Sequence, residues 1–176
     1  MKTKNNVLQL AYAAICLALC MVLPLLTGQI PAIGSALSPM HIPVLLCGFL
    51  CGPLYAATVG AIAPLLRFAL FGMPPLFPTG VAMCFELLTY GLVASILYRK
   101  LPKTKVNIYV TLICAMVAGR IVWGMVRFIL AGLSGSTFTF AAFLAGAVTN
   151  AIPGIIVHIA LIPLLVMALE KFIPKD

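Results

Sequence analysis

Residues 36–53 read ALSPMHIPVLLCGFLCGP. Here His41 stands between Pro39 and Pro43 and opens an apolar run, 41–52, that stops at the turn signal CGP. A helix needs about 20 residues to cross the hydrocarbon core of a bilayer, and this run falls well short. Proline is cheap near the start of a helix, because the N–H it lacks would have no partner there. A histidine has no such excuse. Whether 41–52 crosses a membrane decides the fold, because it sets the number of crossings between the charged ends of the chain.

Composition fixes the broad class. The chain has 176 residues, 64% of them hydrophobic and 8% charged, where soluble domains carry about a quarter charged residues. It cannot cover itself with a polar surface and reads as one integral membrane domain, 1–176. Long apolar runs separated by Gly, Pro and basic clusters indicate helices rather than the alternating pattern of a barrel. The formal charge of +8 would suggest nucleic acid in a soluble protein, but its placement points elsewhere. Lys2 and Lys4, then Arg99, Lys100, Lys103 and Lys105, then Lys171 and Lys175 form three clusters outside the apolar runs. Such clusters mark the cytoplasmic side, and no nucleic-acid partner is expected.

From these markers the spans follow. The first is read at 8–26, ending at TGQIPAIGS, and a later one at 80–98 runs straight into RKLPKTK. With the amino terminus and that basic loop on one side, an even number of crossings separates them. Residues 41–52 and 54–71 must therefore each cross, as short second and third helices that are tilted or buried among neighbours. Spans at 106–131 and 140–169 complete an all-α bundle of six transmembrane helices with both termini cytoplasmic. The opposite connections, 27–40, 72–79 and 132–139, carry no Lys or Arg. Pro153 and Gly154 are expected to interrupt the sixth helix, which a membrane tolerates where neighbours or a cavity satisfy the freed backbone groups.

Other readings of these segments are weaker. A cleaved signal peptide would have a shorter apolar core than the first span, and Leu19 in LALC stands where a lipoprotein signal needs a small residue. Cys16, Cys20, Cys47, Cys51, Cys84 and Cys114 all lie in apolar runs, where thiols act as small hydrophobes rather than as a disulfide framework or metal site. There is no phosphate-binding G-x-x-x-x-G-K-[ST] loop and no H-E-x-x-H, so neither ATP hydrolysis by that route nor metalloprotease chemistry is indicated. No catalytic residue, metal or cofactor is expected.

The remaining polar residues carry the functional reading. An ionisable group in a bilayer costs about 2.5–3.5 kcal/mol on the insertion scale and is functional by default. Counted inward from the uncharged ends at 1.5 Å per residue, Arg67 and Arg127 lie roughly 6–8 Å deep, Glu86 about 9 Å, Asn150 about 15 Å and Arg120 about 17 Å. Tyr90 is one turn from Glu86, and Arg120, Trp123 and Arg127 share a helix face. These residues suggest an outward-facing pocket with more guanidinium than carboxylate, suited to a carboxylate or phosphate. The alternative is a structural Glu86–Arg120 pair with Arg67 and Arg127 reaching to the surface. His41 either caps the second helix or, with Pro74 and Phe77, forms an outer lid. His158, placed near the cytoplasmic side of the sixth helix, reads as a packing residue.

Several segments together resemble the substrate-binding S components of energy-coupling factor (ECF) transporters: AICLA, HIPVLLCGFLCGPLYAATVGAIAPLL, FELLTYGLVASILYRK and NAIPGIIVHIALIPLL, in that order along the chain. The resemblance implies a membrane subunit of a bacterial or archaeal ABC importer that captures a vitamin or related micronutrient from outside. It also implies two kinds of partner, a transmembrane coupling subunit and two cytoplasmic ATPases. Ala14 and Ala18 match the family's A-x-x-x-A segment and would contact the coupling subunit, though the same spacing also serves packing within the bundle. A small acid such as pantothenate would suit the arginines. The rival functions are a self-sufficient carrier using Glu86 as a proton site and a membrane scaffold without ligand.

Overall fold

The structure is a computed structural model that describes residues 2–27, 30, 34 and 36–170. Most of the TGQIPAIGS connection, together with Lys171 and Lys175, lies outside the described residues. Among the described residues the helices are α1 (Lys2–Val22), α2 (His41–Leu50), α3 (Pro53–Phe71), α4 (Val81–Lys100), α5 (Lys105–Leu133), α6 (Phe140–Ala147) and α7 (Ile152–Leu169). A tight turn, Leu23–Thr27, follows α1, a wide turn, Leu76–Gly80, leads into α4, and Thr149–Ala151 joins α6 to α7. Five segments are long and apolar enough to cross a membrane by length and composition: 5–26, 53–71, 76–100, 105–133 and 140–169.

The quoted stretch explains itself in the fold. α2 has only 10 residues, and all of them except Ile42 are buried. Neighbouring helices surround it: α4, α1, α3 and α7 all pack against it. An all-round apolar helix is stable only where apolar neighbours surround it, which is why 41–50 carries no polar face. The third helix corrects the expectation of two short spans. α3 has 19 residues, about 28 Å at 1.5 Å per residue, and is long enough to cross the core unaided. It starts one residue earlier than the reading from sequence, at Pro53, because proline fits the first helical position.

Polar contacts hold the two ends of α2. Cys20 Sγ donates to the Met40 carbonyl at 3.7 Å, while Ser95 Oγ donates to the Cys51 carbonyl at 2.7 Å. The Gly52 N–H, which opens α3 and would otherwise lack a partner, donates to Gln9 Oε1 at 2.8 Å. In an apolar surrounding such a group must find a partner inside the protein. These bonds place the start of α1, the α2–α3 junction and the basic α4–α5 turn at one end of the bundle. Lys103 Nζ, in that turn, donates to the Tyr98 carbonyl at 2.6 Å and sits 3.5 Å from the Tyr98 ring.

α4 is the central packing partner, flanked by α3 and α5. Its crossing with α3 depends on missing side chains. A β-carbon at Gly91 would strike the Ala56 carbonyl, and one at Gly60 would strike the Leu87 carbonyl. With lipid as apolar as leucine, close backbone approach supplies the attraction that hydrophobicity gives in water.

The segment read as a sixth span is broken, but not where Pro153 and Gly154 suggested. α6 ends at Ala147, Thr149–Ala151 form a single tight turn, and α7 begins at Ile152 with proline in its first turn. Pro153 therefore starts a helix rather than interrupting one, because its absent N–H costs nothing at that position. Gly154 lets α7 approach the chain before α2: a β-carbon there would lie 2.7 Å from the Ala36 carbonyl.

Candidate functional site

The end of α3, the middle of α5, the end of α6 and the turn after it meet the starts of α2 and α4 at the end of the bundle opposite the basic turn. They enclose a cavity of about 360 Å³, within the range of small-molecule pockets. Arg67, Glu86, Arg120, Trp123 and Asn150 line it, as do His41 and Pro74. Three of the expected residues are not in its wall. Tyr90 lies behind Glu86 and is 1% exposed. Arg127 lies one turn beyond Trp123 on α5, its guanidinium carbon 5.3 Å from the Phe138 ring and 5.9 Å from the Trp123 ring. Phe77, expected in a lid, is half exposed at 53%.

The carboxylate of Glu86, 1% exposed, is the hub of the polar wall. Arg120 Nη1 lies 3.0 Å from Glu86 Oε1, and Tyr90 Oη donates to the same oxygen at 3.0 Å. His41 Nε2 is 3.4 Å from it as well, but without hydrogen-bond geometry, and both ring nitrogens of His41 lack a partner. A buried carboxylate needs such company, since removing its water costs several kcal/mol unless charge and hydrogen bonds replace it. The Glu86–Arg120 pair posed as a structural alternative is thus formed, and it is also part of the cavity wall.

Arg67 does not reach to the surface. It is 4% exposed, and its Nη1 donates to the Met21 carbonyl at 2.9 Å. The guanidinium carbon stands 5.0 Å from the Phe71 ring. α3 ends at Phe71 and α1 at Val22, so one residue joins two helix ends while facing the cavity.

Both histidines occupy positions the linear reading missed. His41 is the first residue of α2, yet Met40 holds the cap position without a side-chain bond. The imidazole is 3% exposed and points to Glu86, so it neither caps the helix nor covers an opening. His158, expected near the far side of the bundle, has its ring centroid 6.1 Å from that of His41, with the planes 18° apart. The turn at 149–151 is the reason: α7 starts afresh at Ile152, so His158 is only two turns from the cavity end of its helix.

Two glycines shape the wall. A β-carbon at Gly119 would run into the Tyr90 ring, and one at Gly146 would lie 2.7 Å from Trp123 Cη2. Ser38, Met40, Met73, Thr79 and Met83 also line the cavity. Nothing about a methionine or a glycine in an apolar run marks it as part of a cavity wall. Among the described residues no group of His, Cys, Asp or Glu side chains could hold a metal ion, and all six cysteines are free. The cavity offers charge and apolar surface, suited to binding.

A family model described as ECF transporter, substrate-specific component matches residues 8–166. No curated protein and no solved structure matches the chain. The match covers most of the sequence, and the chain belongs to the family of ECF transporter substrate-specific components.

Proposed function

We propose that this substrate-specific component captures a small water-soluble vitamin or related micronutrient at the outer face of the cell membrane, the ligand carrying a carboxylate or phosphate as pantothenate does. The observation that carries this reading is that two guanidinium groups, the buried Arg67 and the half-buried Arg120, share one cavity with a single carboxylate, Glu86, which pairs with Arg120 alone. A guanidinium fork matches carboxylate or phosphate geometry, and Trp123 with the neighbouring methionines and prolines supplies apolar cover for the rest of the ligand. The orientation rests on the basic residues Arg99, Lys100, Lys103 and Lys105 at the opposite end, which favour the cytoplasmic side.

Transport then requires partners. The chain has no phosphate-binding loop, so energy would come from two cytoplasmic ATPases through a transmembrane coupling subunit. Ala14 and Ala18 lie exposed on α1, where small residues permit close helix contact in lipid. Native mass spectrometry of the purified protein tests the reading: a retained small acid supports it, and a retained cation or neutral hydrophobe refutes it. Reconstitution alone in liposomes separates the rival carrier. Proton-driven accumulation of that acid without partners would identify a self-sufficient carrier instead.

A further inference from the structure

The cavity has an unequal distribution of charge, and that inequality assigns its residues different tasks. The chain contains three acidic residues in all: Glu86, Glu170 and Asp176. Glu170 follows the last turn of α7, at the end of the bundle away from the cavity, and Asp176 lies outside the described residues. Glu86 is engaged by Arg120 and Tyr90. Arg67, 4% exposed, has among the described residues only a backbone carbonyl and the Phe71 ring beside its guanidinium. An arginine carries five N–H donors, and a lone buried cation is costly in a membrane.

We propose that Arg67 is the anchor for the anionic group of the ligand, that Arg120 stays with Glu86, and that the ligand is a monoanion, a carboxylate rather than a phosphate monoester. The proposal rests on the anion-binding reading above. Among the arginine and carboxylate side chains of the wall, Arg67 and Arg120 against Glu86 leave one positive charge in excess. One carboxylate brings the sum to zero. A phosphate ester carrying close to two charges at neutral pH overshoots it, next to the Glu86 carboxylate. Moving Arg120 onto the ligand instead would strip Glu86 of its cation and leave a buried carboxylate with only the Tyr90 hydroxyl and an unbonded imidazole, the costly half of a broken pair.

The chain has one tryptophan, Trp123, and it lines the cavity, so its fluorescence reports occupancy. The probes are phenylacetate, its neutral analogue phenylacetamide, and phenyl phosphate, titrated into the full chain in lipid nanodiscs at pH 8. The expected order is phenylacetate tightest, with phenylacetamide weaker by about 10- to 150-fold, the worth of a charge-assisted hydrogen bond. Phenyl phosphate should also bind more weakly than phenylacetate. Arg67→Gln should abolish the preference for phenylacetate over phenylacetamide, and Arg67→Lys should keep part of it, with thermal unfolding followed in parallel to confirm that both variants fold. Equal phenylacetate affinity in wild type and Arg67→Gln overturns the anchor assignment while leaving anion capture intact. Tighter binding of phenyl phosphate overturns the monoanion assignment. Failure of wild type to prefer phenylacetate over its amide overturns both this proposal and the reading beneath it.

Discussion

The indole of Trp123 occupies the space that a side chain at position 146 would need: a β-carbon on Gly146 would lie 2.7 Å from Trp123 Cη2. Two helices, α5 and α6, thus fix one wall of the cavity through an absent methyl group. Gly146→Val should push the indole out of place, weaken ligand binding and shift the Trp123 emission. Overpacking of this kind costs about 1–3 kcal/mol, so thermal unfolding should fall only modestly. An unchanged emission spectrum would show that the indole does not depend on the gap.

The Glu86–Arg120 pair predicts a particular pattern of stability. Arg120→Ala leaves a buried carboxylate without its cation and should destabilise the protein by about 3–5 kcal/mol. Adding Glu86→Ala should recover much of that loss, since the stranded charge is then gone. Unfolding midpoints of the two single variants and the double variant measure the coupling. Simple additivity would mean that the 3.0 Å contact contributes nothing to the fold.

Ala14→Trp and Ala18→Trp should block assembly with the coupling subunit while leaving ligand affinity intact. Both alanines are exposed on α1, and neither lines the cavity. Co-purification and ligand titration should therefore give opposite answers for the same variant. Survival of both would remove this face of α1 from the interface.

The sequence carried the class of fold because hydrophobic runs and basic clusters are local features. Parity alone placed a crossing at 41–52; a helix, α2, lies there, buried as its composition demands, but its ten residues are fewer than a span by length requires. Part of the cavity wall was legible for a similar reason: Arg67, Glu86, Arg120 and Asn150 stand out as polar residues in apolar runs, and they line one cavity together with Trp123. What escaped were relations between distant segments. Nothing local says that His41 meets Glu86 or stacks on His158, because that depends on the turn at 149–151 restarting α7. Arg127 shares a face with Arg120, yet two more turns along α5 carry it past the wall to Phe138.

The burial of α2 also constrains how the protein is made. Ten apolar residues are too few to be retained in a bilayer as an independent span, and the helix that packs most closely on them, α4, is synthesised later. The polar contact that closes α2 at its far end, Ser95 with the Cys51 carbonyl, needs a residue of α4. Since α2 supplies His41 to the cavity, α4 Glu86, and α5 Arg120 and Trp123, the wall joins segments made far apart in time, and a nascent chain that ends before α4 lacks its carboxylate.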